Sequence, residues 1–209
     1  MVLIGEGTVE AGDVLEDLYR RTCDSEPQIC RMTPSSAEIT KISINCFVTT
    51  KISYANMIGD IADATEDADK FEILKAVGAD SRIGGKYLMP GYGFGGPCFP
   101  RDNRALGHYA EEAGVQPLIC EATDEYNRLH TQRMIDEKLK EGKDEYTFTD
   151  VAYKPKCPVP IIEESQKLAV AVGVAKAGKK VTIRDRTFIL DCVRMEYGSL
   201  FDYEVVETL

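Results

Sequence analysis

The chain has 209 residues, with 25 Lys+Arg against 35 Asp+Glu, a net charge of −10, 44% hydrophobic residues, 7 Cys, 2 His and no Trp. That length fits one to two domains, and the acidity argues against a general nucleic-acid binder, which needs a basic face to displace counterions. The longest near-apolar run, Leu168–Ala175, falls far short of the ~20 residues that cross a bilayer, so no membrane span is expected.

Met1–Glu6 has no basic stretch and carries an acid at position 6, unlike a signal peptide. The cysteines at 23, 30, 46, 98, 120, 157 and 192 form no Cys-x-x-Cys pair. With so few histidines, a zinc or other metal site is not expected. The expectation is a cytoplasmic, reducing compartment and mostly buried free thiols.

Val2–Gly5 predicts a short strand, and Ala11, Val14, Leu15 and Leu18 have helical spacing. Gly5-Glu6-Gly7 lacks the third glycine and the distant acid of a dinucleotide-binding turn. One strand and one helix cannot bury their own apolar face, so residues 1–30 are expected to lean on other sequence. Residues 31–142 read as mostly helical. The first helix starts either with Thr33 as cap and Pro34 in the first turn, or with a capping box of Ser35 and Glu38. It runs to about Asp63, and about 30 residues make a rod ~45 Å long. So small a domain cannot cover such a rod on all sides, which predicts packing against a second copy or domain. Further helices are expected over Lys70–Val77, Asn103–Glu112 and Pro117–Leu139. Within residues 143–209 the pattern changes. A poor strand over Tyr146–Val151, a helix over Ile162–Ala177 stopped by Gly178 and a strand over Val181–Asp185 suggest a βαβ unit.

The stretch Pro90–Asp102 is the most informative. Residues 90–100 hold four glycines and three prolines around Cys98. Glycine permits close backbone approach, proline stiffens, and a cysteine mounted on such a loop reads as a nucleophile. Arg101 can help hold a thiolate. Asp102, four residues on, can take a proton from the thiol or from water if a helix begins near Cys98. The alternative is a tight surface turn with an incidental buried Cys. Lys41 and Asn45, four apart on the long helix, would stabilise negative charge on oxygen. Their apolar or small neighbours suggest burial on most sides; the alternative pairs Lys41 with Glu38 and leaves Asn45 as a packing polar. Lys51, Asn56, Arg82 and Lys86 are weaker. Arg82 and Lys86 can meet a diphosphate or form a solvated basic turn. His108 and His130 read as ordinary helix-surface or core histidines.

The ordered set Ala37-Glu38-x-x-Lys41-x-x-x-Asn45, Lys51-Ile52-Ser53-Tyr54-Ala55-Asn56, Asp80-x-Arg82-Ile83-Gly84 and Gly93-Phe94-Gly95-Gly96-Pro97-Cys98-Phe99-Pro100-Arg101-Asp102 resembles the UDP-glucose 6-dehydrogenase family of nucleotide-sugar dehydrogenases. Ala152-Tyr153-Lys154-Pro155 and Glu163-Glu164-Ser165 look like the start of that family's C-terminal domain. The resemblance implies an α/β chain: 1–30 a remnant of an N-terminal dinucleotide-binding domain otherwise largely missing, 31–142 a long-helix central domain that dimerises, and 143–209 a partial Rossmann-like domain. It implies oxidation of UDP-glucose to UDP-glucuronate, with NAD as cofactor and Cys98 forming a thiohemiacetal and then a thioester. Lys41, Asn45 and Asp102 would be the other catalytic residues. Lys41, Asn45, Arg82, Tyr87, Leu88, Phe94, Gly95 and Lys154 would bind the nucleotide sugar, and Cys98 and Arg101 would lie beside the cofactor. The implied partner is a homodimer mate across the long helix. A chain without the nicotinamide platform is expected to be inactive alone; the alternative is a non-catalytic nucleotide-sugar-binding or dimerisation module.

Overall fold

The computed structural model describes residues 1–206. Strand β1 (Val2–Gly5), helix α1 (Val9–Thr22) and strand β2 (Ile29–Met32) form a two-stranded parallel unit in which Val2 faces Ile29 and Gly5 faces Met32. Thr8 caps α1 by accepting from the Ala11 N–H. Arg31, on β2, gathers the carboxylates of Glu6, Asp13 and Glu16. Strand β2 was not foreseen: four residues interrupted by an arginine carry too little apolar pattern. Val14, Leu15 and Leu18 of α1 remain exposed.

The long helix α2 covers Pro34–Asp63. Of the two possible starts, the structure uses Thr33, whose hydroxyl accepts from the Ser36 N–H with Pro34 in the first turn. Helices α3 (Lys70–Ala79), α4 (Phe99–Glu112) and α5 (Leu118–Lys140) follow. Helix α3 runs through Gly78 rather than ending there. That glycine faces the backbone of Gly85, and a Cβ would lie 2.9 Å from its Cα. Helix α4 starts four residues before the expected Asn103 because proline fits a first helical turn, which is where Pro100 sits.

Strands β3 (Glu145–Thr149), β4 (Lys180–Asp185) and β5 (Asp202–Val205) form a parallel sheet in the order β3-β4-β5. Helix α6 (Gln166–Lys176) begins later than the expected Ile162: Glu164 takes a left-handed backbone (φ 48°) and Ser165 caps, accepting from the Leu168 N–H. Helix α7 (Thr187–Tyr197) and β5 lie beyond the last element read from the sequence. The main core fills the space between this sheet and α6 and α7, with Val170, Val174, Ile183, Ile189, Leu190 and Val193 all buried. Met134, Ile135 and Leu139 of α5 pack against the same core. Gly173 leaves room for Ile135. Thus α5 packs the helical segment against the C-terminal unit, and the glycine-rich loop lies where they meet. Among the described residues no helix is long and apolar enough to cross a membrane.

Candidate active site

Cys98 is the residue just before the first turn of α4, and its carbonyl accepts the helix's opening hydrogen bond from the Asp102 N–H at 2.8 Å. That end of a helix attracts negative charge. All seven cysteines are free; Cys98 is exposed, Cys46 and Cys157 are buried and the remaining four are half-buried, so the expectation of mostly buried thiols overstated their burial.

One helical turn beyond Cys98, the Asp102 side chain is 8% exposed and meets α2. One of its carboxylate oxygens accepts from Lys41 Nζ at 2.5 Å and from Asn45 Nδ2 at 2.7 Å. Arg101 Nε lies 3.6 Å from the other oxygen. Burial by itself would push the Asp102 carboxyl up; the hydrogen bonds from Lys41 and Asn45 and the charges of Lys41 and Arg101 outweigh it and hold the pKa below the usual carboxylate range. The backbone carbonyl of Asp102 accepts from the Cys46 thiol. The neighbouring turns of the helices are stitched by Thr49 to Asn103 and by Thr50 to Thr123.

Two sequence expectations change here. Lys41 is 56% exposed at its side chain rather than buried, because α2 packs α4 and α5 on one side and leaves the other open. Its partner is Asp102, not Glu38. Arg101 attends the Asp102 carboxylate and is otherwise exposed.

The loop leading to Cys98 is held by side chains rather than by secondary structure. Lys51 donates to the carbonyls of Ile83 and Gly84. Asn56 accepts from the Gly91 N–H, and Asn127 of α5 both accepts from the Phe94 N–H and donates to its carbonyl, each at 2.9 Å. Leu88 is buried beside Ala55 and Leu74, whereas Tyr87 is exposed with a left-handed backbone (φ 60°). Arg82 is exposed and paired with Asp80; Lys86 is exposed.

The same loop docks against the C-terminal unit. The Gly96 N–H donates to the Glu163 carbonyl, and a Cβ on Gly95 would collide with the carbonyl oxygen of Glu164. Arg104 of α4 ties the Glu164 carboxylate at 2.7 Å. A cavity of about 290 Å³ opens at this junction, lined by Tyr92, Gly93, Tyr153, Lys154, Gln166 and Lys167 among others. Lys154 lies over the Tyr153 ring and Lys167 over Tyr92. The structure therefore brings Lys41, Asn45 and Asp102 together one turn from Cys98. At the other face of the loop Lys154 shares the cavity with Tyr92 and Gly93, while Phe94 is buried against Asn127 and Gly95 abuts Glu164, neither of them lining that cavity.

Residues 35–129 match the central-domain model of the UDP-glucose/GDP-mannose dehydrogenase family. That stretch of the chain is therefore similar to the central domain of this family. It is 36% identical over 137 residues to the UDP-glucose 6-dehydrogenase TuaD of Bacillus subtilis, covering 66% of this chain and 29% of that one. It is 28% identical over 189 residues to the UDP-glucose 6-dehydrogenase of Pseudomonas aeruginosa, covering 88% and 41%. Its fold superposes on a UDP-glucose dehydrogenase structure from Pyrobaculum islandicum with a TM-score of 0.86 and 29% identity, covering 96% of this chain and 46% of that one. The chain thus spans less than half the length of these relatives.

Sequence reasoning did not assign Asn127, Asp60 or a bonded role for His130. Asn127 and His130 share a face of α5 by their spacing, but their loop partners lie more than thirty residues away in sequence.

Proposed function

We propose that this chain carries the nucleophile and part of the sugar site of a nucleotide-sugar 6-dehydrogenase that converts UDP-glucose to UDP-glucuronate in the cytoplasm. The observation that carries this reading is the convergence of Lys41 and Asn45 on Asp102, one helical turn from the exposed Cys98. The domain division at about residues 30 and 142 belongs to the same reading.

NAD would supply the two-electron acceptor for each oxidation. The β1–α1 turn of this chain does not fit a dinucleotide pyrophosphate, because the Glu6 carboxylate sits there, paired with Arg31. No step is therefore assigned to a cofactor held in that turn, and Cys98 and Arg101 are the residues placed on the cofactor side by family resemblance. The chain's own groups divide the remaining chemistry. The Cys98 sulfur adds to the C6 aldehyde, giving a thiohemiacetal; after the second oxidation the same sulfur carries a thioester. Water then adds to the thioester carbonyl, the C–S bond breaks, and the carboxylate leaves with the Cys98 thiol restored. Lys41 and Asn45 stabilise the oxyanions of these additions. Asp102, kept ionised, accepts the proton of the attacking water. Phe94, Gly95 and Lys154 hold the nucleotide sugar across the loop junction, with Leu88 and Tyr87 at the start of the cradle and Arg82 reaching the neighbouring subunit's sugar.

A homodimer forms through α2. Phe47, Tyr54 and Ile61 are exposed along that helix, and Phe47, Leu118 and Ile119 line an open apolar groove of about 560 Å³.

Calorimetric titration of the 209-residue chain with UDP-glucose tests the substrate assignment. Saturable binding that exceeds binding of GDP-mannose, and that weakens in Lys154→Ala, is expected. Heat flow equal to buffer controls would reject the sugar site. Binding without any distinct Cys98 reactivity would favour a non-catalytic binding module.

A further inference from the structure

The sequence leaves His130 as an ordinary helix-surface or core histidine; its ring is 8% exposed at the side chain, and both nitrogens face oxygen acceptors. Nδ1 lies 2.9 Å from a carboxylate oxygen of Asp60, on α2, and Nε2 lies 2.7 Å from the Gly91 carbonyl oxygen. A neutral imidazole has a single N–H. In either tautomer one bare nitrogen would point its lone pair at an oxygen, and only the imidazolium donates to both. The surroundings are charged and paired. Tyr126 donates its hydroxyl to Asp60 at 2.6 Å, and Arg133 Nε lies 3.3 Å from the other Asp60 oxygen while also pairing with Glu137. Asp60, 13% exposed at its side chain, therefore serves as the common anion beneath Tyr126, His130 and Arg133.

The loop end of this chain of contacts is what gives it a role. Gly91 is held at both backbone groups, its N–H by Asn56 and its carbonyl by His130. Phe94 is held at both of its own by Asn127. The tetrapeptide between those anchors contributes Tyr92 and Gly93 to the cavity that also contains Lys154. Among the described residues no strand or helix pairs with this tetrapeptide, and the side chains of Asn56, Asn127 and His130 hold its backbone.

We propose that His130, held as an imidazolium between Asp60 and Gly91, is a positioning residue of the nucleotide-sugar site: it fixes the Gly91 carbonyl and with it the backbone of residues 91–94 ahead of Cys98. The sugar-binding part of this statement rests on the function proposed above; the loop-fixing part does not. Loss of the His130 proton removes one of its two hydrogen bonds and frees one anchor of the tetrapeptide.

The test uses the 209-residue chain labelled with ¹⁵N. Long-range proton–nitrogen spectra near pH 7 should show both His130 nitrogens protonated, and the amide signals of Gly91, Tyr92, Gly93 and Phe94 should shift together as His130 loses its proton. Two variants separate positioning from bulk stability. The amide nitrogen of His130→Gln sits where Nε2 does and keeps the bond to Gly91, so UDP-glucose binding should stay near wild type and lose its pH dependence. His130→Asn mimics only Nδ1, keeps Asp60 and frees Gly91, and should weaken UDP-glucose binding roughly tenfold, the factor expected for one charge-assisted hydrogen bond. A His130 with one bare nitrogen near pH 7, or loop amides indifferent both to its titration and to His130→Asn, overturns the proposal; the wild-type spectra decide this even where a variant fails to fold. Coupled His130 and loop signals in a wild-type chain that does not bind UDP-glucose would uphold the loop fixing and remove the substrate reading instead.

Discussion

Replacing Asp102 by Asn tests the centre of the site with little change of shape. The amide oxygen can still accept from Lys41 and Asn45, so what is lost is the negative charge. Charge-assisted hydrogen bonds contribute about 1.5–3 kcal/mol and neutral ones about 0.5–1.5. The Asn45 bond is partly buried and should lose about 1 kcal/mol. The Lys41 ammonium is 56% exposed, so solvent screening cuts its share to roughly 0.5 kcal/mol. Asp102→Asn should therefore destabilise the chain by about 1–2 kcal/mol near neutral pH, or roughly 2–8 °C in Tm for a chain of this size. The pH dependence has a definite sign. Folding lowers the Asp102 pKa from 3.8, so its contribution is complete above that value and is lost as pH falls through the folded pKa. Urea unfolding of both proteins, stepped from pH 7 toward the acid limit of cooperative unfolding, should show a gap that is constant down to about pH 4 and narrows below. Equal stability at pH 7, or a gap that keeps its full size at the acid end, would refute the reasoning.

Two further outcomes follow from the packing. Gly95→Ala drives a methyl into the Glu164 carbonyl and should disturb the bond from the Gly96 N–H to Glu163; a loss of about 1–3 kcal/mol in thermal or urea unfolding is expected. Phe47→Asp places a charge on the exposed face of α2, where Phe47 is 68% exposed. Sedimentation should show the wild-type chain as a dimer and this variant as a folded monomer; a wild-type monomer at micromolar concentration would contradict the dimer.

The sequence was most readable where local chemistry decides structure. Thr33-Pro34 was one of the two starts the sequence offered for α2, the lack of proline and of any glycine but Gly59 carried the helix to Asp63 as expected, and the glycines and prolines around Cys98 identified the loop. It was least readable where a choice depends on distant partners. Lys41 could be placed on a face with Asn45, but its exposure depends on which side of α2 carries α4. Strand β2 exists because β1 is there to pair with it. The positive φ of Glu164, which delays α6, has no glycine to announce it and accompanies the docking of the Gly95-Gly96 backbone. His130 meets Asp60 across 70 residues of sequence, and no spacing rule reaches that far.

The central claim is that Cys98 is the working thiol of a sugar site. It is tested most directly by following iodoacetamide modification of each cysteine by mass spectrometry, with and without UDP-glucose. Burial pushes the Cys46 thiol up to about 11 and the Cys120 thiol up as well. Both should react slowly at neutral pH, while Cys98 reacts first and is protected by UDP-glucose. A Cys98 that is modified no faster than Cys46, and at the same rate with the sugar nucleotide present, would contradict the account.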